Sequence, residues 1–222
     1  DGREGERLFQ GGAYDVVVTV TDDDGALSSR TFKAAIANAA PSLASLAGQA
    51  AVEGAPVSLQ GAAFIDPGAL DTHTAAVDWG DGTNRPAAVT SGTIQAQHAY
   101  GDDGAFTAVV TVRDDDGAVS SSSFTVTVAN RAPALAAIPA AAAVEGAYIE
   151  LPPAAFTEAG YLDTHTATVD WGDGTSEPVA DVSLASTPGS EGTATSGTVQ
   201  ARHAYGDNGS YSAVVTVRDD DG

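Results

Sequence analysis

The 222-residue chain predicts an all-β protein, made of antiparallel β-sandwich domains of about 90 residues in a tandem, rod-like array. Three observations carry this. The first is an internal repeat: Val77-Asp78-Trp79-Gly80-Asp81-Gly82-Thr83 returns as Val169-Asp170-Trp171-Gly172-Asp173-Gly174-Thr175, 92 residues on. The second is strand periodicity. Residues 124–128 (Phe-Thr-Val-Thr-Val) alternate strictly, as a half-buried strand does, and residues 106–112 alternate with some doubling. The third is punctuation, because Asp-Gly turns separate these β-branched runs.

The repeat sets the boundaries. Asp22 and Asp114 are 92 residues apart, and Asp114 and Asp219 are 105 apart. The extra 13 residues fall around 181–195, a Ser-, Thr-, Pro- and Gly-rich stretch that reads as a loop insertion. Ala-Asn-Ala-Ala-Pro at 37–41 matches Ala-Asn-Arg-Ala-Pro at 129–133. These are short junctions in which proline fixes an extended path into the next domain. Residues 1–38 are then the tail of one repeat, 39–130 a complete repeat, and 131–222 a repeat lacking its last strand. Asp1-Gly2 reads as the end of the tail repeat's own Trp-Gly-Asp-Gly turn. The chain is expected to be a window from a longer array. The rival expectation is that a neighbouring chain donates the missing strand. Residues 140–143, all alanine, follow Pro139 and precede Gly146, and read as strand or extended edge rather than helix.

Composition narrows the function. Nine Lys and Arg stand against 30 Asp and Glu, a formal net charge of −21. This argues against nucleic acid, whose phosphates need a basic face, and against an anionic membrane surface. So much like charge is either spread in solvent or neutralised by cations. With no Cys, neither disulfides nor thiolate metal sites are possible, and another staple is needed. No apolar run approaches the ~18 residues of a membrane span, and no signal peptide is read.

A second signature follows each Trp motif: His98-Ala99-Tyr100-Gly101-Asp102-Asp103-Gly104, and His203-Ala204-Tyr205-Gly206-Asp207-Asn208-Gly209. In a chain this poor in aromatics, Trp79 and Trp171 are expected to fill the sandwich cores, the competing role being a sugar-stacking platform. Gly80 and Gly82 supply positive φ for the turn, and Asp81 and Asp173 bond turn amides. Tyr100 and Tyr205 read as tyrosine corners. His98 and His203 read as structural, since no second His or Cys stands at ligand spacing. Asn208-Gly209-Ser210 is a formal glycosylation sequon that reads as a turn. The only Lys, Lys33, lies outside both fuller repeats, which argues against intramolecular isopeptide cross-links.

These paired motifs closely resemble the polycystic-kidney-disease (PKD) domain family. The Trp-Gly-Asp-Gly stretch carries the aromatic at a shifted position. His98, Tyr100, Gly104, Phe106 and Val109 give the second hallmark, as do His203, Tyr205, Gly209, Tyr211 and Val214. The tail copy, Phe9 to Tyr14, keeps only Gly12 and Tyr14. The flavour is that of tandem repeats in very large bacterial surface proteins. The resemblance implies an Ig-like, PKD-type β-sandwich that serves as spacer, adhesive or accessory module, and it implies no catalysis.

The acidic clusters are the functional candidates. Asp22-Asp23-Asp24-Gly25, Asp114-Asp115-Asp116-Gly117 and Asp219-Asp220-Asp221-Gly222 each follow a strand. Three adjacent carboxylates repel one another, and Gly alone would make the turn. A hard cation taking six to eight oxygens would hold them, whereas the bland alternative is a solvated turn. In a sandwich of this topology the triplet lies at one end with the loop 66–71 or 158–163, where the junction Asn also arrives. The resemblance implies calcium there, as in PKD-like modules of secreted collagenases. One Ca2+ site is expected per junction. The first set is Asn38, Asp66, Asp71, Asp114 and Asp116. The second is Asn130, Glu158, Asp163, Asp219 and Asp221. Glu53 and Glu145, in Val-Glu-Gly turns, point toward the following domain, which puts Glu53 at the second site.

The leading expectation is a non-catalytic structural or adhesive segment of an extracellular or cell-surface stalk or fibre. Its partners are neighbouring repeats, with self-assembly into filaments or contacts to surface glycans and proteins. The alternative is a carbohydrate- or protein-binding accessory module of a secreted hydrolase. An enzyme is the weakest reading: Asp78 and Asp81 make a carboxylate pair, but in a tight turn with no cleft-forming sequence around them.

Overall fold

The computed structural model describes residues 11–175 and 182–222. Asp1-Gly2, Phe9 and Asp181 therefore lie outside the described residues. No helix occurs among the described residues, which form twenty strands. Residues 11–38 give β1 (Gly12–Thr21) and β2 (Leu27–Ile36). Residues 39–130 begin with β3 (Ser42–Leu43), β4 (Gln49–Val52), β5 (Val57–Ser58), β6 (Phe64–Ile65) and β7 (His73–Asp78). They continue with β8 (Asn84–Thr90), β9 (Thr93–Gln95), β10 (Gln97–His98), β11 (Gly104–Asp114) and β12 (Val119–Ala129). Residues 131–222 begin with β13 (Ala134–Leu135), β14 (Tyr148–Glu150), β15 (Ala154–Glu158) and β16 (Thr166–Asp170). They end with β17 (Ser183–Thr187), β18 (Thr195–Gln200), β19 (Arg202–Ala204) and β20 (Val214–Arg218).

The chain divides into two compact units. The first comprises Asp1–Ala47, Ser58–Ala96 and Thr107–Phe124. In it β1 and β2 form a hairpin with Val16 opposite Phe32. Strand β7 pairs antiparallel with both β8 and β11, so that Val77 faces Arg85 on one side and Val110 on the other. Alternation then turns Val77, Val110 and Val112 inward, where they are buried with Phe64, Ile94 and Trp79. Trp79 is 0% exposed, which assigns it to the core rather than to a sugar platform. Gly80 follows it at φ 83°, and a Cβ there would lie 2.5 Å from the Thr107 carbonyl oxygen. The turn thus needs both the left-handed conformation and the missing side chain.

The second unit comprises Gly48–Val57, Gln97–Phe106 and Thr125–Gly222. Here β4 runs parallel to the end of β12, from Gln49 opposite Val126 to Val52 opposite Ala129. The order β13-β15-β18-β17 makes one sheet, and β14–β19 and β16–β20 make two-stranded ladders. Trp171 packs with Ala154, Ala167, Val169, Val199 and Ala201. It stacks on His203 with ring centroids 5.1 Å apart, and its carbonyl accepts the Tyr205 hydroxyl at 3.1 Å. Tyr205 thereby ties back to backbone as a tyrosine corner does, in this case to the Trp turn itself.

One expectation is corrected and another narrowed. The stretch read as a loop insertion contains strand β17, paired antiparallel with β18 from Ser183 opposite Gln200 to Thr187 opposite Ser196. Once two segments meet in register, ladder bonds outweigh a turn-rich composition. Residues 140–143 are neither helix nor strand, which leaves the extended-edge arm of the expectation, although β4 stands at the equivalent place one repeat earlier. What β4 has is the parallel ladder to β12. Ala140–Val144 instead forms one wall of a groove of about 660 Å3 whose other wall includes Tyr205, Tyr211 and Val215.

Candidate metal centres

The Asp triplets divide their work. The first Asp caps the turn: Ala26 donates to Asp22 at 2.7 Å, Ala118 to Asp114 at 2.7 Å, and Gly222 to Asp219 at 2.9 Å. The second ties down the preceding loop, since Thr72 donates to Asp115 at 2.9 Å and Thr164 to Asp220 at 2.8 Å. The third, Asp116 or Asp221, is exposed. This arrangement draws the loop 66–71 onto Asp114, and 158–163 onto Asp219.

In the first unit the carboxylates of Asp66, Asp71 and Asp114 converge, with one oxygen of each lying within 4.8 Å of the others. Asp66 accepts the Gly68 amide at 2.8 Å and faces His73 Nε2 at 2.9 Å. Asp114 is buried and accepts the Asn38 amide side chain at 2.9 Å, a bond that holds its carboxyl below the usual range. Asp71 Oδ2 is buried without a hydrogen bond, and desolvation followed by the Asp66 charge pushes that carboxyl up. Gly68 makes room for it, because a Cβ would fall 2.0 Å from that oxygen. Of the first expected set, Asn38 joins the cluster as a donor to Asp114. Asp116 stands outside the three-carboxylate group, its side chain lying against Gly11.

In the second unit two groups form: Glu158, Asp163 and Asp219, and Glu53, Asp102, Asp163 and Asp221. Their positions follow from pairing. Parallel pairing of β4 with β12 sets Val52 opposite Ala129, and Glu53 then donates to the Ala129 carbonyl at 3.2 Å. The Arg131 amide donates back to Glu53 Oε1 at 2.7 Å. The loop 158–163 is seated by close backbone approach. Leu162 donates to the Gly101 carbonyl at 3.0 Å, and the Tyr161 hydroxyl to the Ala99 carbonyl at 3.1 Å. A Cβ on Gly54 would lie 2.3 Å from the Ala159 oxygen, and one on Gly101 2.4 Å from the Tyr161 ring. Gly160 repeats the role of Gly68, 2.2 Å from Asp163 by the same measure.

Glu53, Glu158 and Asp219 are buried, at 0%, 2% and 7% exposure. Each spends one oxygen on a backbone amide and leaves the other buried without a hydrogen bond. Asp163 leaves both oxygens so, and Asn130 its Oδ1. Burial, followed by the charge of Glu53 and then of Glu158, Asp102 and Asp221, pushes Asp163 up to about 7. Glu53 also rises to about 7, by burial against the opposing Arg131 amide and with Glu158 and Asp221 adding to the rise. A buried carboxylate without a partner is costly, and a divalent ion relieves both the desolvation and the repulsion. The oxygen-only donor set suits calcium.

Asp102 was not among the expected ligands. Its Gly-Asp-Asp-Gly context reads locally as the turn of the second signature; only the long-range approach of loop 158–163 gives it partners. Glu145 is exposed and lines the groove beside residues 140–144. His203 bonds Asp173 at 2.8 Å, and Asp173 in turn accepts the Thr175 amide and hydroxyl, so this histidine serves the turn.

Strands without helices, a Trp buried beneath a Gly-Asp-Gly turn and acid-lined loop ends define the class, an all-β Ig-like sandwich module. Residues 38–128 match the profile of the PKD domain, and this segment belongs to the PKD domain family. No protein of curated function matches the chain. Among solved structures, it is similar to the N-terminal eight Ig domains of Down syndrome cell adhesion molecule. Identity there is 15%, coverage 95% of this chain and 31% of that one, and the TM-score 0.30. It is also similar to the extracellular domain of protocadherin γB4 (20% identity, 93% and 37% coverage, TM-score 0.33). A third is SGBP-B of the Bacteroides ovatus mixed-linkage glucan utilization locus, in complex with a mixed-linkage heptasaccharide (15%, 94% and 45%, TM-score 0.28). The chain spans less than half the length of each of these three.

Proposed function

We propose that this chain is a non-catalytic structural segment of an extracellular or cell-surface stalk or fibre, built of tandem PKD-type repeats and stiffened by Ca2+ at the junctions between them. The observation that carries it is the set of buried, unpartnered carboxylate oxygens on Glu53, Glu158, Asp163 and Asp219, beside the linker that starts at Asn130. Glu53 directly follows strand β4 of one repeat, and the other three belong to the next. An ion held by both fixes the linker. Asp66, Asp71 and Asp114, with Asn38 bonded to Asp114, are the corresponding ligands at the preceding junction. The alternative, a glycan-binding accessory module, would need exposed aromatic platforms, and both tryptophans are instead buried. Titration calorimetry on the chelated protein tests the reading. Saturable heat and a raised melting temperature on adding Ca2+ are expected, together with a narrower distribution of dimensions in X-ray scattering. No heat and no melting shift would reject it.

A further inference from the structure

We infer that the junction at Asn130 holds two divalent cations rather than one, with the Asp163 carboxylate bridging them. The inference rests on the calcium reading above and extends it in number and ligand set. Asp163 belongs to both acidic groups, and each of its two oxygens is buried without a hydrogen bond. With two free oxygens, Asp163 can offer one to Glu158 and Asp219 and the other to Glu53, Asp102 and Asp221, the two groups that share it.

The second, independent observation is the repeated state of the buried acids. Glu53, Glu158 and Asp219 are each more than nine-tenths buried, and each holds one oxygen on a backbone amide with the other unpartnered. These three residues are divided between the two groups that share Asp163, Glu53 in one and Glu158 with Asp219 in the other. A single ion would satisfy one group and leave a buried, uncompensated oxygen in the other. Charge points the same way. Six carboxylates converge here, so one divalent ion would leave four negative charges and two ions leave two.

The preceding junction supplies an internal contrast. Asp66, Asp71 and Asp114 reproduce Glu158, Asp163 and Asp219. Gln10, however, stands where Asp102 stands one repeat later, and Asp116 stays outside the group. Among the described residues only the three-carboxylate group recurs at both junctions, and the second ion is assigned to the junction at Asn130.

Native mass spectrometry and equilibrium binding of Ca2+ to the full chain test this. Three ions per chain are expected. D102N, at an exposed position, and E53Q are each expected to lose one ion, D219N one, and D163N two. Terbium and europium loaded together are expected to show energy transfer that D102N abolishes. Equal ion numbers for the wild type and D102N, or loss of only one ion in D163N, would overturn the bridged pair and leave the calcium reading standing. Binding of no ion by the wild type would remove the calcium reading itself.

Discussion

At the residue scale, burial decides roles that composition leaves open. Trp79 is fully enclosed, so Trp79→Ala is expected to cost about 3–5 kcal/mol in a chemical denaturation series. Asp173 shows the same logic in a polar group. The Thr175 hydroxyl, the Thr175 amide and His203 hold its pKa at about 2, against 3.8 ordinarily. A carboxyl more acidic in the folded state stabilises the fold above pH 3.8, and that contribution is lost as the pH falls toward 2. Urea midpoints followed from pH 5 to 2 are expected to drop less steeply in Asp173→Asn than in the wild type. Residue identity alone disclosed the core tryptophans and the turn-bonding aspartates, because both roles are set within a few positions in sequence. It did not disclose Asp102, whose partners arrive from Glu53, Asp163 and Asp221 through tertiary packing.

At the element scale, the Trp turn is the most tightly specified feature. Gly80→Ala would place a Cβ against the Thr107 carbonyl at positive φ, and Gly172→Ala would do the same against Ser212. Each is expected to lower stability by about 1–3 kcal/mol, read from thermal or urea melts. Alternating strands such as β12 were legible because the period of two survives in the sequence. Strand β17 was not, since its Ser- and Thr-rich residues become strand only through the ladder to β18. Residues 140–143 were read as strand or extended edge, and only the strand is missing, for the converse reason: a sequence without a paired neighbour has no ladder to join. The four-residue loops behind Asp66 and Glu158 were legible as acid-bearing turns. The seating of the loop 158–163 on Gly54 and Gly101 was not, because it depends on a close approach between segments far apart in sequence.

At the scale of the whole molecule, a net charge of −21 has to be managed. Diffuse repulsion is screened by simple salt over about 10 Å at 0.1 M, whereas buried carboxylates are screened much less. Sodium chloride is therefore expected to raise the melting temperature only modestly, and millimolar Ca2+ to raise it further at matched ionic strength. Mg2+ is expected to do less, because it demands near-ideal octahedral geometry and keeps its waters. Equal shifts from the two ions in scanning calorimetry would assign the effect to general screening.

The parallel ladder between β4 and β12 carries a mechanical consequence. The two strands lie near opposite ends of residues 39–130 and point the same way, so tension applied at those ends slides one along the other. All four register pairs from Gln49–Val126 to Val52–Ala129 then share the load at once and cannot peel apart one by one. Such a clasp yields at high force however modest its equilibrium stability. Proline in place of Ala51 is expected to lower the rupture force in single-molecule pulling far more than it lowers the melting temperature.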